Sequence, residues 1–223
     1  MRYSLPIPYS QAQPVPIQSV QFRFDNFVNS GLTLTVSFEE SGMGKDILTH
    51  ALASQLIAGL NMLKDCIDRC PAKEWNERHG DYPFSQVVFH TLFDCDYHLC
   101  DNNEEFKKQI FHIKNRESFA DYEELEDRIP QHLYERDFIN RYYEHCRERV
   151  ASAIETKTNA DILIPNADVR KNMTKLERYV NLIRHMQHHT AQLGLRLQFA
   201  TGKEMDWIAR GYENRAGKRG VAS

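Results

Sequence analysis

The sequence predicts an all-α protein: a four-helix bundle with a long crossover connection and an irregular N-terminal extension. Two observations point there. Apolar residues recur every three or four positions in four separate segments, the period of a helix with one buried face. Proline and asparagine clusters interrupt the pattern between those segments.

Residues 1–44 stand apart. Four of the eight prolines, Pro6, Pro8, Pro14 and Pro16, fall in the first sixteen residues and forbid a regular helix. Leu32 to Phe38 alternates apolar and polar like a strand, but nothing downstream offers it a partner, so the region reads as an extension on which the fold does not depend. From residue 45 the pattern turns helical. Leu48, Leu52, Leu56, Leu60, Leu63 and Ile67 mark a first helix that ends before Pro71. Pro83 opens a second, with Phe84, Val87, Val88, Thr91, Leu92, Cys95 and Leu99 on its apolar face, and Asp101-Asn102-Asn103 closes it. The 101–136 insertion is charged, aromatic and irregular, and reads as the long crossover with at most a short helix. Ile139, Tyr143 or Tyr142, Cys146, Val150 and Ile154 mark a third helix, and Pro165 and Asn166 punctuate the link to a fourth over 172–201. The bundle is therefore expected over 45–211, followed by a mobile tail, 212–223.

At 223 residues and 41% hydrophobic, the chain is long enough for one domain with a full core. A formal charge of −3 with mixed signs argues against nucleic-acid binding, since the one basic cluster, Arg210, Arg215, Lys218 and Arg219, sits at the tail. No run approaches the roughly 18 apolar residues of a membrane span, and no secretory signal is visible. Five cysteines, an odd number in a chain of this size, fit a reduced, cytoplasmic setting, with Cys66 and Cys70 read as core or boundary residues.

The chemistry concentrates in the fourth helix. His185-Met-Gln-His188-His189 packs three of the ten histidines into five residues. At about 100° per residue, His189 lies roughly 40° and His188 roughly −60° from His185, while Tyr179, Ile183, Met186, Leu193 and Leu197 form the buried stripe. His185 and His189 thus stand one turn apart at the edge of the core, a spacing that can share a metal ion; a solvated polar face is the competing reading. Gln192 continues the same stripe as a pocket or supporting position. In the second helix His90 lies in a bundle-facing segment and is the best candidate for a third ligand, with His98 its competitor. Asp94, one turn later, is placed to orient the His90 imidazole, to act as a base, or simply to sit in solvent. His50, His79, His112, His132 and His145 lack an equivalent context. Three protein ligands leave a tetrahedral ion one open position, the mark of a catalytic site.

The run from Pro83 through His90 to Asp94, followed by His185-x3-His189-x2-Gln192 and then Trp207-Ile-Ala-Arg-Gly211, resembles the DinB/YfiT-like metalloprotein superfamily of bacterial four-helix bundles. The resemblance covers residues from about 46 to 211. It maps His90 to the ligand on the second helix and His185 and His189 to the pair on the fourth. It implies a divalent transition metal, zinc or nickel, and a homodimer. The extension and the 101–136 insertion depart from the compact members. Characterised relatives include thiol-dependent S-transferases and isomerases. The expected function is therefore a metal-dependent transferase joining a low-molecular-weight thiol cosubstrate to a small electrophilic substrate. A metal-dependent hydrolase and a non-catalytic metal-binding or stress-response protein are the alternatives.

Overall fold

Leu52, Leu56, Leu60, Leu63 and Ile67 form the buried face of α1 (Ile47–Arg69), as their spacing requires. The computed structural model describes residues 47–80, 82–123, 132–163 and 173–212, all within the unit Glu40–Ser223. The expected extension of residues 1–44 and the tail beyond Tyr212 lie outside them. Among the described residues the protein is all-α, apart from a two-residue antiparallel pair, β1 (Arg78–His79) and β2 (Tyr82–Pro83). No described helix is long and apolar enough to cross a membrane.

After the single turn of α2 (Ala72–Trp75), α3 (Phe84–Leu99) begins directly after Pro83, whose fixed φ of −57° suits a helix entry. It buries Phe84, Val88, Leu92, Cys95 and Leu99. The α7 helix (Arg136–Val150) buries Phe138, Ile139, both Tyr142 and Tyr143, Cys146 and Val150, and runs on into a π-type turn, Ala151–Glu155. After the short α8 (Asn159–Leu163), α9 (Lys175–Thr201) starts at a capping box in which Thr174 and Glu177 satisfy each other's backbone N–H groups. It stops at Gly202, which takes φ of 69° and returns its N–H to Gln198 O. The α1 and α3 helices each pack on both α7 and α9. Gly59 lets α9 close on α1, since a Cβ there would lie 2.7 Å from Met186 Sδ. Arg136 hydrogen-bonds the last α1 carbonyls, Ile67 O and Cys70 O, while its guanidinium lies 4.3 Å from the Trp75 ring centre.

The expected irregular crossover instead holds three short helices within 103–123. They are α4 (Asn103–Lys107), α5 (Ile110–Lys114) and α6 (Arg116–Glu123). Helices of five to eight residues are too short to show a 3.6-residue period, which is why the pattern missed them. Asn102 caps α4 by accepting from Glu105 N. Phe106, His112 and Phe119 are buried, with Phe119 5.6 Å from Phe89 and Phe111 stacked 5.2 Å from Tyr142. Each buried aromatic ring contributes about 1.5–3 kcal/mol to holding this layer on α3 and α7.

Residues 202–212 run back along α1. Arg69 holds Glu204 O at 3.0 Å, Gln55 holds Ala209 O at 3.1 Å, and Gly211 N donates to Ser54 Oγ at 3.2 Å. Only glycine fits at 211, because a Cβ would lie 2.5 Å from Ser54 O.

Candidate metal centre

The facing of α3 and α9 brings His90, His185 and His189 together, as the spacing anticipated. Their candidate ligand atoms all lie within 4.8 Å of one another. His185 Nε2 is 3.1 Å from both His90 Nε2 and His189 Nε2. The rings stand nearly perpendicular, with interplanar angles of 73°, 90° and 80°, so they radiate from a common point rather than stack. His188 is exposed and turned away, while the buried face of α9 carries Tyr179, Leu182, Met186, Leu193 and Leu197.

The outer nitrogens decide what the inner ones can do. His185 Nδ1 lies 2.9 Å from Asp94 Oδ2, an ion-pair distance that is not aligned as a hydrogen bond. His189 Nδ1 lies 2.9 Å from Gln192 Oε1, an acceptor. Both rings turn Nε2 inward, where the two nitrogens meet at 3.1 Å. Two lone pairs at that distance repel, so a proton or a metal ion belongs between them. A proton joins one pair at a time, whereas a metal ion joins all three nitrogens. Tetrahedral bonds of about 2.0–2.1 Å give a ligand separation of about 3.3 Å, close to what the rings present. Neutral imidazole is also what a metal requires. Burial, together with the nearby His189 and His185 rings, pushes His90 down to about 4, and burial lowers His189 as well.

Asp94 is placed to orient, but the ring its carboxylate meets is His185, across the helix interface. Burial alone would raise its carboxyl; the neighbouring His185 and His98 imidazoles outweigh it and hold the group below the ordinary carboxylate range. His98, the competitor for the third position, points elsewhere. It is 7% exposed, receives Arg178 Nε on its Nδ1 at 3.0 Å and reaches Asp94 at 3.4 Å.

A second constellation escaped the sequence reading. Asp96, His112 and His145 also bring three candidate ligand atoms within 4.8 Å. Here donors and acceptors match. Asp96 Oδ2 accepts from His112 Nε2 at 2.7 Å and Tyr142 Oη at 3.4 Å, and Asp96 Oδ1 accepts from Gln109 Nε2 at 3.1 Å. His145 Nε2 donates to Gln109 Oε1 at 2.8 Å. Arg149 Nε, 3.7 Å from Asp96 Oδ1, already supplies positive charge and would repel an added cation. Hydrogen bonding thus accounts for this cluster without an ion, and it ties α5 to α3 and α7. The lone sequence signal was Asp96 inside an apolar helix face; its partners lie 13 to 53 residues away, beyond the reach of any local motif.

No family model, no curated protein and no solved structure matches this chain, so the likeness to DinB/YfiT-like proteins rests on its motifs alone.

Proposed function

We propose that the chain is a DinB-like four-helix bundle in which His90, His185 and His189 hold one divalent transition metal, zinc or nickel. We further propose that it acts as a metal-dependent transferase joining a low-molecular-weight thiol to a small electrophile. The observation that carries the metal reading is the convergence of three histidine Nε2 atoms, with the outer nitrogens of His185 and His189 lying against Asp94 and Gln192. When bound, such an ion lowers the pKa of a thiol or water brought to its open position and keeps the resulting anion nucleophilic near neutral pH. The chain's residues hold it through three neutral nitrogens, which leave the site doubly positive and selective for an anionic fourth partner.

The thiol must arrive as a cosubstrate. All five cysteines are buried. Burial pushes Cys66 and Cys100 up to about 12 and Cys70 to about 11, so these three offer no ready thiolate.

Elemental analysis tests the metal. His189→Ala strips it and His188→Ala keeps it; equal retention in the two variants refutes the assignment. Activity is tested by incubating metal-loaded protein with a generic electrophile and a panel of thiols, with His185→Ala as control. A thiol-dependent rate above that control supports the transferase reading. Turnover of simple esters or amides alone makes the protein a hydrolase, and silence from both makes it a binding protein.

A further inference from the structure

His185 is the inner end of a buried polar chain that begins two turns earlier on its own helix. Arg178, 5% exposed, donates from Nη2 to Tyr97 O at 2.8 Å and from Nε to His98 Nδ1 at 3.0 Å. His98 turns its Nε2 toward Asp94 Oδ2 at 3.4 Å, and the same oxygen lies 2.9 Å from His185 Nδ1. The path therefore runs from α9 to α3 and back to α9.

Its direction is forced by chemistry. A guanidinium has donors only and does not lose its charge, so His98 Nδ1 must be the acceptor. The His98 proton is then on Nε2, facing the carboxylate. On its other side the carboxylate lies 2.9 Å from His185 Nδ1, and a proton drawn to that nitrogen leaves the His185 lone pair on Nε2. We infer that Arg178 and His98 are positioning residues for the metal, fixing Asp94 and through it the tautomer and direction of His185. The inference rests on the metal reading of the three histidines. It explains why a cation and an imidazole are buried between α3 and α9, where apolar side chains of similar size would serve packing at least as well. It also explains why the cation is arginine, whose planar fork reaches Tyr97 O and His98 Nδ1 together.

The test uses the full chain, 15N-labelled at histidine, with Arg178→Met and His98→Phe as the breaking variants. Arg178→Lys is the conservative rescue, and Arg184→Met, at an exposed position of the same helix, is the control. Long-range proton–nitrogen correlation of the metal-free protein reads the tautomers, and far-UV circular dichroism confirms the fold of each variant. Wild type is expected to show His98 as Nε2–H and His185 as Nδ1–H. Both breaking variants are expected to show a mixed His185 tautomer. Cobalt(II) titration then reads the site: affinity falls about 10-fold or more in the breaking variants and the cobalt d–d band shifts. Arg178→Lys, which keeps the charge but not the fork, recovers the affinity only in part, and the control matches wild type. If Arg178→Met does not fold, His98→Phe carries the same comparison. A purely packing role lowers thermal stability but leaves tautomer and spectrum alone. An unchanged His185 tautomer, or cobalt affinity within about twofold of wild type in folded breaking variants, overturns the inference. Wild-type protein that takes up no cobalt overturns the metal reading itself, a result visible before any variant is compared.

Discussion

Asp94 and Asp96 are two residues apart on α3, and the helical repeat sends their carboxylates to opposite sides of it. Asp94 faces α9 and orients His185 of the converging triad. Asp96 faces α5 and α7 and is closed in by His112, Gln109, Tyr142 and Arg149. Both neighbourhoods hold a carboxylate, histidines and a glutamine. On the Asp96 side the carboxylate accepts from His112, Gln109 and Tyr142 and its charge lies beside that of Arg149, so the cluster is a fastener. On the Asp94 side three histidine Nε2 atoms converge while the outer nitrogens of His185 and His189 lie against Asp94 and Gln192, so the arrangement offers a place for a cation. Composition cannot separate the two cases. The placement of protons can.

The largest effect is expected from breaking the difference at its centre. His189→Ala should lose metal affinity by more than the roughly 10–100-fold that a supporting residue contributes. His112→Ala and His145→Ala should keep the wild-type metal content and lower stability instead. Elemental analysis alongside urea unfolding reads both axes. Metal loss in the His112 or His145 variants would merge the two clusters into one functional unit.

Next in size is Asp96→Asn, which takes the charge from a fully buried hub and leaves Arg149 with Glu105 as its remaining counter-ion. Unpairing a buried charge costs about 3–5 kcal/mol, read as a lowered urea midpoint, with metal content unchanged. The effect has a pH signature. Burial alone would raise the Asp96 carboxyl, but hydrogen bonds and charge from His112 and His145 outweigh it and hold it below the ordinary value. A depressed carboxylate contributes its stability in full above the unfolded value of about 3.9 and loses it as pH falls toward the folded value. The advantage of wild type over Asp96→Asn should therefore be flat above about pH 5 and shrink below about pH 4. An advantage that stays constant down to about pH 3 would remove the charge from the explanation.

The two regions were not equally legible in the sequence. His185 and His189 share one helix turn and His90 lies on a long periodic segment, so both their elements and their facing could be reasoned from spacing. The start of α3 at Pro83 and the end of α1 before Pro71 follow from proline chemistry in the same way. The Asp96 cluster depends on α5, a five-residue helix with no readable period. Arg178 was hidden differently. A charged residue on a helix is ordinarily exposed, and its burial is set by a partner 80 positions away. What sequence spacing conveys is contact within an element; pairing across elements needs the fold.

The smallest and most discriminating comparison is between the two glutamines. Gln192 accepts from His189 at 2.9 Å and is otherwise exposed, so little of the fold depends on it. Gln192→Ala frees His189 to carry its proton on either nitrogen, and only one tautomer presents a lone pair to the site. Metal affinity should fall about 10-fold, equivalent to about 1.4 kcal/mol, with an unfolding midpoint close to that of wild type in the metal-free protein. Gln109, half-buried, bridges His145 and Asp96 by hydrogen bonds at both ends of its amide. Gln109→Ala leaves a buried acceptor and donor short of a partner and should cost about 1–3 kcal/mol of stability with no change in metal affinity. Chelator competition and urea unfolding on the same two proteins give a crossed result if the clusters do separate jobs. A loss of affinity in Gln109→Ala equal to that in Gln192→Ala would show that the fastener also tunes the metal through α3, which carries Asp94 and Asp96 alike.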